Sequence, residues 1–213
     1  MKIHVIKHGD ARRLYTTGLA DEGYPELSVE VTDQSLKEQA KHLLRLTARY
    51  MRDEKLAIKA NETMSYGCWL LRFQAGVKGL EVWECDDEWT GFVPGAERAL
   101  RLWYDQAEVC NALGSSFLPP LASTKTAVSA GVLEGEPLEG IRYPPPPHMS
   151  GWYLSTDLYD GNIKSMKVIH LYHVIARRPE IARYLALAPG HYFRLYGADE
   201  VGFLEDVAQE EPC

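Results

Sequence analysis

Alternation of apolar and polar residues marks the start of the chain. In ELSVEV (26–31), Leu27, Val29 and Val31 alternate with polar neighbours, the two-residue period of a strand with one buried face. KIHVIKH (2–8) reads as a second short strand. The period then lengthens. Between 34 and 52, Leu36, Ala40, Leu43, Leu44, Thr47 and Met51 recur at steps of three and four, while Lys37, Glu38, Lys41, Arg45, Arg49 and Arg52 fill much of the rest. That spacing predicts an amphipathic helix with one buried side. Thr32 and Asp33 precede it as capping residues, whose side-chain oxygens accept from otherwise unpaired N–H groups of the first turn. Two apolar runs, 63–74 and 79–85, flank the glycine-bounded AGVKG and predict an antiparallel hairpin. WTGFV (89–93) adds a third strand before Pro94 and Gly95 break the pattern. From 96 to 113, Ala99, Leu102, Trp103, Gln106, Val109, Cys110 and Leu113 give a second helix, with Gly114 placed to end it.

Beyond Gly114 the periodicity disappears. Residues 115–149 hold seven prolines, including the PPPP of 144–147, and read as a Pro/Gly-rich linker with a local polyproline II stretch. Pattern returns at 150. GWYLST (151–156) predicts a strand, Asp160-Gly161 a turn, and KVIHLYHVI (167–175) a β-branched, aromatic strand. RPEIARYLAL predicts a short helix with Pro179 in its first turn, and HYFRLYGADEVGFLED a hairpin around Gly197-Ala198-Asp199. The expected fold is α+β: two small mixed units rich in antiparallel hairpins, 1–114 and 150–213, joined by the linker 115–149.

Composition narrows the function. No run approaches the roughly 18–20 apolar residues of a membrane span. MKIHVIKHGD lacks the apolar core of a signal peptide, so a cytoplasmic protein without membrane contact is expected. The four cysteines, Cys68, Cys85, Cys110 and Cys213, form no C-x-x-C pair, which suits free thiols in a reducing compartment, Cys213 being the exposed one. The net charge of −7 argues against a nucleic-acid partner, whose usual footprint is a basic face, and suits a basic protein partner. The catalytic and phosphate-binding motifs G-x-S-x-G, H-E-x-x-H, G-x-x-x-x-G-K-[ST] and G-x-G-x-x-G do not occur, and no cofactor is expected.

Two clusters bear chemistry. EVWECDDEWTGF sets Trp83, Glu84, Asp86, Asp87, Glu88 and Trp89 close together. It reads as a solvated hairpin end, as a negative aromatic surface that contacts a protein partner, or as a carboxylate metal site. Strand geometry sends adjacent side chains to opposite faces, so these residues need not converge. The second cluster is His170, His173 and His191. On a helix the first two share a face and can offer two imidazoles to one metal. On the predicted strand they part, and a third ligand at a diagnostic spacing is absent.

The stretch from 150 also carries a resemblance. Ser150-Gly151-Trp152, then Pro179-Glu180-Ile181, Tyr184-Leu185, Pro189-Gly190, Phe193 and a closing Phe203-Leu204-Glu205 resemble the C-terminal domain of a bacterial immunity-protein family associated with polymorphic toxins. It is the family numbered thirty-three in the immunity series, earlier catalogued as a domain of unknown function. YGCWLLRF, LEVWE and FVPGAERAL resemble the N-terminal part of the same architecture more loosely. The resemblance implies a non-enzymatic protein that neutralises a cognate toxin by binding it. That toxin would be a secretion-system effector, for example of type VI, encoded by an adjacent gene. The shared residues are apolar and turn residues, so no binding residue transfers with it. A regulatory interaction module and a metal-dependent hydrolase stay open as alternatives.

Overall fold

A computed structural model describes residues 1–8 and 11–209. The predicted thiol at Cys213 lies outside the described residues. The fold is α+β, and the chain divides into two compact units, Met1–Tyr104 and Asp105–Cys213.

The N-terminal unit is one mixed sheet with a helix on its inner face. Its strands are β1 (Lys2–His8), β2 (Ala11–Thr17), β3 (Leu27–Val31), β4 (Thr63–Tyr66), β5 (Trp69–Gly76), β6 (Gly79–Cys85) and β7 (Phe92–Pro94). They lie in the order β1-β2-β3-β6-β5-β4, with β7 also paired to β6. Only β3 and β6 run parallel, which is why a helical crossover separates them in sequence. That crossover is α1 (Lys37–Asp53), preceded by a 3-10 turn whose cap is Asp33, the side chain accepting from Ser35 N. Ala40, Leu43, Leu44, Thr47 and Met51 of α1 and Leu27, Val29 and Val31 of β3 are all buried, as the two periods predict. The run 63–74 is two strands rather than one, folded at Gly67-Cys68 so that Tyr66 pairs with Trp69. The AGVKG hairpin forms as predicted, with Gly76 opposite Gly79. Gly79 has φ +143°, and a Cβ there would stand 2.2 Å from the carbonyl oxygen of Glu26, which accepts from Leu80 N. A side chain at 79 would force β6 away from the start of β3.

Helix α2 (Glu97–Leu113) follows, with the division between the units falling inside its sequence. The C-terminal unit adds β8 (Lys125–Val128), β9 (Leu138–Arg142), β10 (Met149–Thr156), β11 (Lys167–His170), β12 (His191–Tyr196) and β13 (Ala198–Phe203), with the short helices α3 (Leu171–Arg177) and α4 (Glu205–Ala208). The order is β11-β8-β10-β9-β12-β13, parallel only between β8 and β10. The stretch expected to be a linker therefore supplies two inner strands. Its prolines lie outside β8 and β9: Pro119 and Pro120 before β8, Pro137 just before β9, and Pro144 to Pro147 between β9 and β10. RPEIARYLAL forms a 3-10 helix, Pro179–Tyr184, with Pro179 in its first turn.

Candidate binding surfaces

The acidic stretch of the N-terminal unit is the end of β6 and the turn into β7. Leu80 and Val82 point into the core, and Glu84 shares their parity. Glu84 is accordingly only 2 % exposed. Its carboxylate accepts from Ala99 N at 2.9 Å and Arg98 N at 3.2 Å, the orphan donors of the first turn of α2. Burial pushes Glu84 above the usual carboxylate range, more than these N–H groups and the Arg98 guanidinium hold it down. It is a helix-capping residue and is enclosed, so the contact surface proposed from the sequence loses it. Asp86 ties the turn together: Oδ1 accepts from Thr90 N at 2.8 Å and Oδ2 from the Thr90 hydroxyl at 3.1 Å. The Thr90 N–H chiefly holds its carboxyl low. Asp87 is bridged by Arg98, whose Nη2 donates to Oδ2 at 2.8 Å. Trp89 takes the left-handed conformation, φ 58°, and its ring lies 4.8 Å from that of Trp69. Trp83 is half-buried and Glu88 is exposed. The surface that remains is Asp87, Glu88, part of Asp86 and the edges of the two tryptophans.

The histidines depart from the sequence expectation. Strand β11 stops at His170 and α3 begins at Leu171, whose N–H donates to Thr124 O at 2.8 Å. This bend, rather than a continuous strand, brings the His170 and His173 rings to 6.2 Å between centroids, with Tyr172 stacked on His170 and tilted against His173. His191 stands on β12, separated from β11 in the sheet by β8, β10 and β9. It is 7 % exposed, its Nδ1 lies 2.9 Å from Ala188 O, and its ring meets Phe203 edge-on. Among the described residues, no group of three or more His, Cys, Asp or Glu side chains is placed to hold a metal ion. The thiols Cys68, Cys85 and Cys110 are buried. Burial, with Asp86 beside it, pushes the Cys85 thiol up to about 11, opposite to what activates a nucleophile.

A third surface was not anticipated from the sequence. Leu138, Gly140 and Arg142 of β9 point inward, as do Trp152 and Leu154 of β10 and Phe193 of β12. The alternate residues form the outer face. Tyr153, Ile141 and Tyr192 are register partners across three strands, and Ser155, Glu139, Arg194 and Glu200 across four. Tyr143 meets Tyr153 edge-on at 5.1 Å. Arg194 lies over the Tyr192 ring at 4.9 Å and bridges Glu139 at 3.1 Å and Glu200 at 3.4 Å. Beside this face, Tyr143, Pro144 and Pro146 on one side and Tyr159, Ile163 and Met166 on the other enclose a groove of about 390 Å³ floored by Ile141, Tyr153 and Glu139.

The residues that carry the family resemblance lie mostly on the opposite, inner side. Ser150 is hydrogen-bonded to the Thr126 hydroxyl. Gly151 has φ +80°, and a Cβ there would sit 2.4 Å from Tyr143 O. Trp152 is fully buried and its Nε1 donates to Leu185 O at 3.0 Å. Ile181 and Leu185 are enclosed, and the Tyr184 ring stacks on Phe193 at 5.1 Å. Gly190 N donates to Arg142 O at 2.7 Å. Residues 105–210 match the family model of the Imm33-like domain. The C-terminal unit is an Imm33-like domain.

No curated protein and no solved structure matches the chain. Two features of the Imm33-like domain bear on what it can bind. Arg142, 4 % exposed, presents Nη1 to the carbonyls of Leu118, Leu185 and Leu187. Arg178, also buried, donates to the carbonyls of Val132 and Glu136 at 2.8 and 2.9 Å and to Glu180 at 2.6 Å. Two of its cations are thus spent inside. Residues 105–213 carry eight Lys and Arg against fourteen Asp and Glu, net −6, whereas residues 1–104 carry fifteen against sixteen, net −1. The chain's negative charge belongs almost entirely to the Imm33-like domain. None of its described carboxylates is buried. Among the described residues no helix is long and apolar enough to cross a membrane.

Proposed function

We propose that this protein is an immunity protein that binds a cognate protein toxin stoichiometrically and neutralises it. The observation that carries this is the Imm33-like domain itself, whose shared residues build a rigid core and leave the outer sheet face free for contact. Inhibition by binding needs a pre-organised complementary surface and no reacting group. In this reading the toxin is a secretion-system effector encoded beside this chain, and neutralisation takes place in the cytoplasm. An excess of surface carboxylates accelerates encounter with a basic toxin. The acidic turn of the N-terminal unit, with Asp86, Asp87, Glu88, Trp83 and Trp89, is the rival contact site, and the immunity reading does not depend on it.

The test is co-expression. Cells producing the adjacent gene's product are expected to survive only with this protein present, and the two proteins to co-purify at one-to-one stoichiometry. Survival without it, or failure of the purified proteins to associate, refutes the reading.

A further inference from the structure

The outer face of the Imm33-like sheet combines three properties that the rest of the described surface does not bring together. It is rigid, because its residues alternate along strands with the fully buried Trp152, Leu154 and Phe193. It is tyrosine-rich: Tyr153 and Tyr192 stand in one row, and Tyr143 and Tyr159 line the adjoining groove. Tyrosine gives large contact area with a polar tip at low entropy cost, the usual anchor of a protein interface. The face is also negative. Glu139 and Glu200 flank the single guanidinium of Arg194, and Asp157 stands at its rim, 3.4 Å from the Tyr196 hydroxyl.

The surroundings reinforce that sign. With Arg142 and Arg178 buried, the described surface of the domain shows twelve carboxylates against six Lys and Arg. The alternatives are weaker. In the N-terminal unit the turn at 84–89 has Glu84 enclosed and carries no tyrosine. The apolar hollow of about 300 Å³ beside Arg13 has that arginine tied to Glu30 and Glu81.

We infer that this tyrosine-lined outer face is the docking surface for a basic protein partner, which seats an arginine- or lysine-bearing segment in the groove over Tyr153 and against Glu139. A cationic head takes the tyrosine faces and the carboxylate, while its aliphatic stem covers Ile141 and Met166. The inference rests on the immunity reading, since the partner is the toxin.

The experiment titrates the full-length protein with the purified, catalytically inactivated product of the adjacent gene and follows association and dissociation rates. The Tyr153→Ala and Tyr192→Ala variants are expected to raise the dissociation rate at least tenfold. In the Asp157→Lys, Glu200→Lys double variant, altered at exposed positions away from the core, the association rate is expected to fall at least fivefold and to lose most of its salt dependence. An Asp87→Lys, Glu88→Lys variant is the comparison and is expected to bind as the parent does. Unchanged rates in both outer-face sets overturn the inference, as does loss of binding confined to the Asp87, Glu88 variant; in either case parental binding leaves the immunity reading standing. Absence of any parental binding or protection refutes the immunity reading and the docking surface together.

Discussion

Replacing Arg142 by methionine tests the claim that a buried guanidinium organises the Imm33-like domain. One nitrogen of Arg142, with two hydrogens, is shared among the carbonyls of Leu118, Leu185 and Leu187, and the guanidinium lies over the Trp152 ring at 5.8 Å. Methionine keeps the apolar stem and its packing, so the loss falls on the polar head. Leu185 O retains the Trp152 Nε1 donor, and Leu118 O is close to solvent, so Leu187 O is the carbonyl left most exposed to the penalty. The two hydrogens of the Arg142 nitrogen make two charge-assisted bonds of about 1.5–3 kcal/mol each, and an orphaned buried carbonyl costs about 1–3 kcal/mol more. Against these stands the recovered cost of burying a charge, which is several kcal/mol. The expected net loss is about 3 kcal/mol, or a fall in melting temperature of roughly 10 °C for a domain of this size. Urea unfolding at neutral pH measures the free energy, and hydrogen exchange locates it: amides of β9 and of residues 185–187 should lose protection first. Arg142→Lys keeps the charge but presents one ammonium in place of the fork, and should recover about half of the loss. A loss under about 1 kcal/mol for methionine refutes the argument.

Three further outcomes follow from the geometry. Gly151→Ala places a Cβ in a left-handed conformation against Tyr143 O, and should cost at least about 2 kcal/mol in denaturant unfolding. Glu84→Ala removes the acceptor at the start of α2 and should cost about 1–2 kcal/mol, whereas Glu84→Gln, which keeps a neutral acceptor where burial already favours the neutral form, should stay within about 1 kcal/mol of the parent. Burial pushes Glu97 and Glu26 up, but bonds from the Thr32 hydroxyl and the Asp33 and Thr32 N–H groups to Glu97, and from the Thr16 hydroxyl and the N–H groups of Ala20, Leu19 and Gly18 to Glu26, outweigh it and hold both low. A carboxyl held low stabilises the fold above its ordinary value of 4.5 and loses that contribution as the pH falls through the folded value; urea melts between pH 6 and 3 should therefore weaken in acid, and Glu97→Gln should flatten that decline.

Strands whose apolar residues alternate cleanly, and the two long helices, were legible from the sequence. Strands that break the alternation were not. ARRLYTT forms β2 with Leu14 and Thr16 as its enclosed residues, a pattern too polar to show a period. In β9 the inward position between Leu138 and Arg142 is Gly140, left empty because the Phe193 ring occupies its place; an added Cβ would stand 2.5 Å from that ring. Glycine and a buried arginine disguise a central strand as linker. The inward turn of Glu84 was legible, since it continues the parity of Leu80 and Val82; its charge argued the other way. The tyrosine face was hidden by its own composition. In GWYLST and HYFRLY the inner and outer residues are both aromatic, so the sequence announces a strand without saying which ring faces water. The approach of His170 to His173 depends on a strand ending one residue before a helix, and neither period marks that junction.

The two sides of the Imm33-like sheet have separate duties. Inward residues hold the carbonyls, rings and tight turns in place, and outward residues contact one another and the surface. If the outer face is where the proposed toxin docks, substitutions confined to Glu139, Ile141, Tyr153, Tyr192 and Arg194 are expected to change the choice of partner while leaving the buried fastenings of the fold in place.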